Sequence, residues 1–158
     1  MNEYMYHIII QQAAKDALSP KPSRLRKWAE SALARKTETA EITIRIVSLT
    51  EMTTLNKKFR YKEGATNVLS FPFEMPDHVE IEVPILGDII ICADVVNTEA
   101  TEQGKTQDAH WAHMVIHGVF HLLGYDHQTD QEANVMESLE VEILQKLGFA
   151  NPYLSETP

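Results

Sequence analysis

Apolar positions along the chain repeat at period two in some stretches and near 3.6 in others, and each change of period marks a predicted element. Tyr4 to Ile10 ends in three consecutive isoleucines and predicts an opening strand, followed by a polar connection through Ser19, Pro20, Lys21 and Pro22. Ser23 offers a cap for a helix from Arg24 to about Lys36, in which Leu25, Trp28, Ala29, Ala32 and Leu33 form the apolar face. Ile42 to Val47 alternates and predicts a second strand. Thr50 offers the next cap, for a short helix that buries Met52, Leu55 and Phe59 and ends near Arg60. A third strand spans Thr66 to Phe71 and stops at Pro72; Glu74 to Pro84 is acidic and proline-flanked, and predicts a loop or irregular hairpin. Ile89 to Cys92 is an unbroken apolar run of the kind buried on both faces of a sheet. Asp94 can open a helix through about Gln103.

Two further helices follow. The one from about Gln107 to Leu123 is apolar on every side, with Trp111, Met114, Val115, Ile116, Val119, Phe120 and Leu122 around it, so it should be central and buried. Its exception is a stripe of His110, His113, His117 and His121, which predicts that one side lines a cleft. Gln131 to Leu147 carries Val135, Met136, Leu139, Ile143 and Leu144 at helical spacing and closes at Gly148. The elements in this order predict an α+β (mixed α/β) fold: a single domain over 1–150, with about four strands in a mixed sheet packed against about five helices. A frayed tail is expected at 151–158.

Composition narrows the function. At 158 residues, with 44% hydrophobic and 23% charged residues, the chain fits one globular domain, and no apolar run approaches membrane-spanning length. The N-terminus shows no basic region followed by an apolar signal core, so a cytoplasmic location with no membrane partner is expected. Cys92 is the single cysteine, which excludes an internal disulfide and a thiolate-rich zinc site. A net charge of -9 argues against broad binding to nucleic acid, DNA included, so any RNA-directed activity needs a local basic patch. The candidates are Arg24, Arg26 and Lys27, and Lys57, Lys58, Arg60 and Lys62, although such runs are usually solvated helix faces.

The chemistry concentrates in His117-Gly118-Val119-Phe120-His121-Leu122-Leu123-Gly124-Tyr125-Asp126-His127. On a helix, His117 and His121 stand on one face, one turn apart, so both imidazoles can reach one ion. Gly124 can end the helix in a left-handed turn that swings the chain back and delivers His127 as a third ligand. Three imidazoles with one open position suit a catalytic zinc site better than a structural one. His110 and His113 are expected to bond or line the cleft and not to bind the ion.

This run resembles the signature of the YbeY family of metal-dependent endoribonucleases. Two further stretches carry the same likeness: Leu55 to Arg60 followed by Thr66-Asn67-Val68-Leu69-Ser70-Phe71-Pro72, and Leu86-Gly87-Asp88-Ile89, so that it extends from about Leu49 to Glu142. The resemblance implies one zinc ion on His117, His121 and His127, with Arg60 as a functional arginine nearby. It further implies single-strand-specific cleavage of ribosomal RNA in maturation of the small-subunit 3′ end and in ribosome quality control, with the ribosome as partner. Arg60 and His117 are the expected catalytic residues. Asn67 departs from the aspartate of the family pattern, which removes a carboxylate from that strand.

Two rivals share the motif. The spacing also matches the metzincin peptidases, which place a glutamate after the first histidine as general base; here that residue is Gly118, which cannot accept a proton. A ribosome assembly factor using zinc only to fix its fold is the non-catalytic alternative. For RNA cleavage the general base stays open among solvent activated by the ion, a histidine of the stripe and Asp126.

Overall fold

The computed structural model describes residues 5–74 and 83–153. Strands β1 (Met5–Gln12), β2 (Thr39–Val47), β3 (Val68–Pro72) and β4 (Ile85–Cys92) form one sheet in the order β1-β2-β4-β3. The first two pairings are parallel and the β3–β4 pairing is antiparallel, so the mixed sheet expected from the pattern is present. Helices α1 (Pro22–Leu33), α2 (Leu49–Arg60), α3 (Ala93–Glu102), α4 (Gln107–Leu122) and α5 (Asp130–Lys146) complete the domain. Most of the acidic segment from Glu74 to Pro84 lies outside the described residues, as does Tyr4.

Alternation in β2 turns Ala40, Ile42, Ile44 and Ile46 into one core, where they meet Ile89 and Ile91 of β4 and the apolar faces of α1 and α4. The opposite face of the sheet is smaller: Ile90, Cys92, Val47 and Leu69 pack under Met52 of α2. β4 is therefore buried on both sides, as its unbroken apolar run predicts. It is longer than that run, because Ile85 to Asp88 also pair, against β2 and β3. Pro72 falls at the end of edge strand β3, where a missing N–H is tolerated.

Helix starts differ from the sequence reading by a residue or two, for physical reasons. Lys21, not Ser23, precedes α1; Pro22 takes the first helical position, where its fixed φ is already helical and its missing N–H is not needed. Ser48, not Thr50, caps α2, accepting from the Glu51 amide at 3.2 Å, while the Glu51 carboxylate pairs with Arg45 of β2 at 2.7 Å. Asp94 sits in the first turn of α3, which starts at Ala93, and there it favours the positive end of the helix dipole. Phe59 is not buried but half-exposed, its ring set edge-on to Phe71 at 5.5 Å; the α2 residue that goes inside with Met52 is Asn56, which donates to the Gly64 carbonyl at 2.9 Å.

Helix α4 lies across the larger core and packs against α1, α3, α5, β3 and β4. At Gly118 the sheet comes so close that an added Cβ would stand 2.8 Å from Ile89 Cγ2. Its far end closes through Gly124 at φ 98°: the Gly124 amide donates to His121 O at 3.1 Å, the Tyr125 amide to Phe120 O at 3.0 Å, and the Tyr125 ring packs on Phe120. Lys36 donates to the Leu123 carbonyl at 3.1 Å and lies over the Tyr125 ring, holding the same turn from α1's side.

The tightest backbone approach is at Gly87 on β4, with φ 140°, where a Cβ would collide with the Phe71 carbonyl oxygen and lie 2.9 Å from Pro72 Cα. Backbone cannot give way cheaply, so Gly87→Ala should destabilise the fold by about 3 kcal/mol or more. Gly104→Ala, which meets nothing within 4 Å, is the control and should cost only about 1–2 kcal/mol. Chemical denaturation midpoints of the two variants provide the comparison.

Candidate metal centre

One helical turn separates His117 from His121, and their Nε2 atoms come within 3.1 Å of each other on the open side of α4. The turn at Gly124 returns the chain over them: the His127 ring centre lies 5.9 Å from that of His117 and 5.0 Å from that of His121. One ring nitrogen from each histidine falls within a 4.8 Å cluster, with His117 and His121 partly buried and His127 exposed. The structure thus brings together the three residues that the spacing singled out. Asp126 accepts from the His127 amide at 2.7 Å and serves the turn.

A feature the sequence reading missed supports the cluster from behind. Glu140 of α5 is completely buried, and its carboxylate faces the histidine stripe. Oε2 stands 2.7 Å from His117 Nδ1, Oε1 stands 3.0 Å from His113 Nε2, and the Tyr153 hydroxyl donates to Oε1 as well. Burial alone would raise this carboxyl, but hydrogen bonds from His113 and His117 more than offset it and hold it down at about 2. Burial, reinforced by the bond to Glu140, raises the Tyr153 phenol well above its ordinary range. The signal lay in the α5 pattern: position 140 falls on the same helical face as Met136, Ile143 and Leu144, and a carboxylate on a core face calls for partners.

These bonds assign the tautomers. His113 must carry its proton on Nε2 to meet Glu140, and its Nδ1 has no partner among the described residues. His117 must carry its proton on Nδ1, leaving the Nε2 lone pair free toward His121. Burial, followed by the proximity of His117 and His127, lowers His121 to about 4, so this residue is a neutral imidazole at ordinary pH. Tyr153 belongs to the stretch where the sequence suggested a frayed tail, yet its hydroxyl reaches this carboxylate; residues 154–158 lie outside those described.

The stripe begins with a second, separate network. His110 Nε2 stands 2.9 Å from Glu99 Oε1 of α3, burial lowering the imidazole against the pull of that carboxylate. Asn67 donates from Nδ2 to the same Oε1 at 3.1 Å and accepts from the Val68 amide at 2.7 Å. An amide at 67 therefore does what a carboxylate could not, because it faces Glu99 as a donor.

Arg60 is the last residue of α2. Its Nη2 donates to the Ser70 carbonyl at 2.7 Å and its guanidinium lies 5.3 Å over the Phe71 ring. The Ser70 hydroxyl meets the Gly118 carbonyl at 3.3 Å, so one strand links Arg60 to the residue after His117. Lys57, Lys58 and Arg60 share the last turn of α2. At Gly118 an added side chain would meet Ile89 of the sheet, and glycine carries no base, so this position lacks the metzincin glutamate.

Replacing Asn67 by aspartate should set two carboxylates against each other and lower stability at neutral pH by about 1–3 kcal/mol. Adding Glu99→Gln should recover most of that loss, as a double-mutant cycle of denaturation curves will show.

Comparison with known proteins agrees with the geometry. The model of the family described as Endoribonuclease YbeY matches residues 9–148. An Endoribonuclease YbeY of Nitrosococcus oceani is 53% identical over 146 residues, covering 92% of this chain and 95% of that protein. One of Pseudomonas putida is 52% identical over 145 residues and covers 92% of each chain. The solution structure of TM1509 from Thermotoga maritima aligns with a TM-score of 0.57 at 25% identity, over 91% of this chain and 92% of that one. With the match running from β1 through the end of α5, and the histidine motif inside it, this chain belongs to the YbeY family.

Proposed function

We infer that the protein is a metal-dependent endoribonuclease whose centre is held by His117, His121 and His127. The observation that carries the metal site is the approach of two imidazole Nε2 atoms to 3.1 Å with a third ring beside them. Tetrahedral zinc with Zn–N distances of about 2.0–2.1 Å spaces its nitrogens by about 3.3 Å, so the helix presents this pair with little adjustment. The alternative grouping of His113, His117 and Glu140 is nearly closed to solvent, and its facing atoms already satisfy one another by hydrogen bonding.

When bound, zinc would supply Lewis-acid polarisation of a phosphoryl oxygen at its open coordination position. The chain's own residues supply the rest. His117 and His121 fix that position from a rigid, buried helix, which is where precise placement is most easily kept. Arg60 binds the substrate phosphate: a planar, permanently charged fork can hold two of its oxygens. Its bond to Ser70 and its stack on Phe71 orient it, and Lys57, Lys58 and Lys62 provide the local positive charge that a chain of net charge -9 needs to hold a polyanion.

The substrate class that fits is single-stranded ribosomal RNA, with the ribosome as partner, small-subunit 3′-end maturation and quality control as the setting, and the cytoplasm as the place. Zinc is the metal because three imidazoles suit it. None of the helices among the described residues is long and apolar enough to cross a membrane, in keeping with that location.

The test pairs metal analysis with cleavage of a single-stranded RNA. Wild type should hold about one zinc per chain, and His121→Ala should lose both metal and activity. His110→Ala should keep the metal, since His110 bonds Glu99 and not the cluster. Zinc retained at wild-type affinity by His121→Ala overturns the site.

Arg60→Glu should retain zinc and cleave at least about a hundredfold more slowly, with Arg60→Lys partly defective. Wild-type cleavage by Arg60→Glu removes the arginine from the mechanism.

A further inference from the structure

Behind the cluster, Glu140 collects three donors on one carboxylate: His117 through Nδ1, His113 through Nε2, and the phenol of Tyr153. All three come from different distances along the chain, two from α4 and one from the segment beyond α5. We propose that Glu140 is the positioning residue of the metal centre, fixing His117 as its Nδ1–H tautomer with Nε2 aimed at the ion, and that Tyr153 holds Glu140 in that role. The proposal rests on the assignment of the ion to His117, His121 and His127.

The geometry leaves little alternative use for these groups. A buried carboxylate needs its lone pairs filled, and Glu140 shares its two oxygens so that each faces the stripe. Only the Oε2 partner is also a member of the open cluster, so the carboxylate acts on the ion through His117 alone. A carboxylate on the remote nitrogen of a ligand imidazole both orients the ring and makes it a better donor, and losing such a partner typically lowers metal affinity about 10–100-fold. His113 has no place in the open cluster; its bond to Oε1, together with its edge-on contacts to the Tyr153 and His117 rings, sets the angle of the carboxylate. Tyr153 closes the assembly from outside. The residue is 43% exposed, so burial of apolar surface does not account for its placement, whereas its hydroxyl is directed at Oε1.

Glutamine at 140 keeps the shape but offers one acceptor oxygen and one amide donor. It can serve His117 or His113 in their present tautomers, and not both. Tyr153→Phe removes one donor from Oε1, together with the hydroxyl that lies 3.0 Å from His113 Nε2, without touching His117. The measurements are zinc affinity by chelator competition and, on metal-free protein at about pH 8 where free imidazoles are neutral, the ring ¹⁵N shifts that report the His117 tautomer.

In wild type His117 should be the Nδ1–H form. In Glu140→Gln its population should become mixed and zinc affinity should fall about 10–100-fold, with RNA cleavage at saturating zinc affected less. Tyr153→Phe should weaken zinc several-fold while its melting temperature stays near that of wild type. Unchanged zinc affinity and an unchanged His117 tautomer in folded Glu140→Gln overturn the proposal. Should that variant fail to fold, Tyr153→Phe decides, and wild-type affinity there overturns it. The two levels separate cleanly: wild-type protein that binds no zinc defeats the metal assignment, while the ring shifts still judge Glu140. Zinc lost by Glu140→Gln but kept by His127→Ala places the ion in the buried triad and contradicts the positioning role.

Discussion

A helix buried on every side has few places to put polar side chains, and α4 carries four histidines. Each has to find a partner or face a cleft, because an unmet imidazole N–H in a packed interior costs as much as a lost hydrogen bond or more. The fold meets that demand with two acidic residues brought from other helices, Glu99 of α3 for His110 and Glu140 of α5 for His113 and His117. Along the stripe the packing opens at its C-terminal end, and there His117, His121 and His127 are left facing one another, each with a ring nitrogen unused by a carboxylate. The functional cluster is what remains of the stripe after the core has satisfied the rest.

The sheet has a matching role. Its larger face receives α4 so closely that position 118 admits only glycine without displacing Ile89. This contact fixes the rotation of the helix about its axis, which in turn decides which way His117 and His121 point. The same position bears on chemistry: the peptidase reading fails there on residue type, because glycine supplies no base. Edge strand β3 then ties the helix to Arg60 through Ser70, giving a route from the histidine face to the basic end of α2 across a single strand.

Much of this was legible in the sequence because it rests on local periodicity. The alternation in β2, the all-round apolar character of α4 and the glycine stop at 124 each express a rule that operates within a few residues, and the metal-ligand set follows from their sum. What escaped was of two kinds. Helix starts slipped where a competing cap stood within two residues, as with Ser48 ahead of Thr50 and Pro22 ahead of Ser23. The carboxylates that partner the stripe escaped because their partners lie far off in sequence: Glu140, behind the metal cluster, is 23 residues from His117, and Glu99, in the separate network, is 32 from Asn67. Strand order belongs to the same class, since nothing local says that β4 inserts between β2 and β3. Asn67 read as a lost charge; beside Glu99 it is the donor that the network requires.

The central claim is that a single ion sits on three imidazoles at the open end of α4, backed by and not bonded to Glu140. X-ray absorption at the zinc edge of the metal-loaded protein addresses it most directly. The account predicts about three imidazole nitrogens at about 2.0–2.1 Å, with the remaining coordination filled by oxygen from solvent. A zinc shell with only two imidazoles and a protein carboxylate, unchanged when His127 is replaced by alanine, would contradict it.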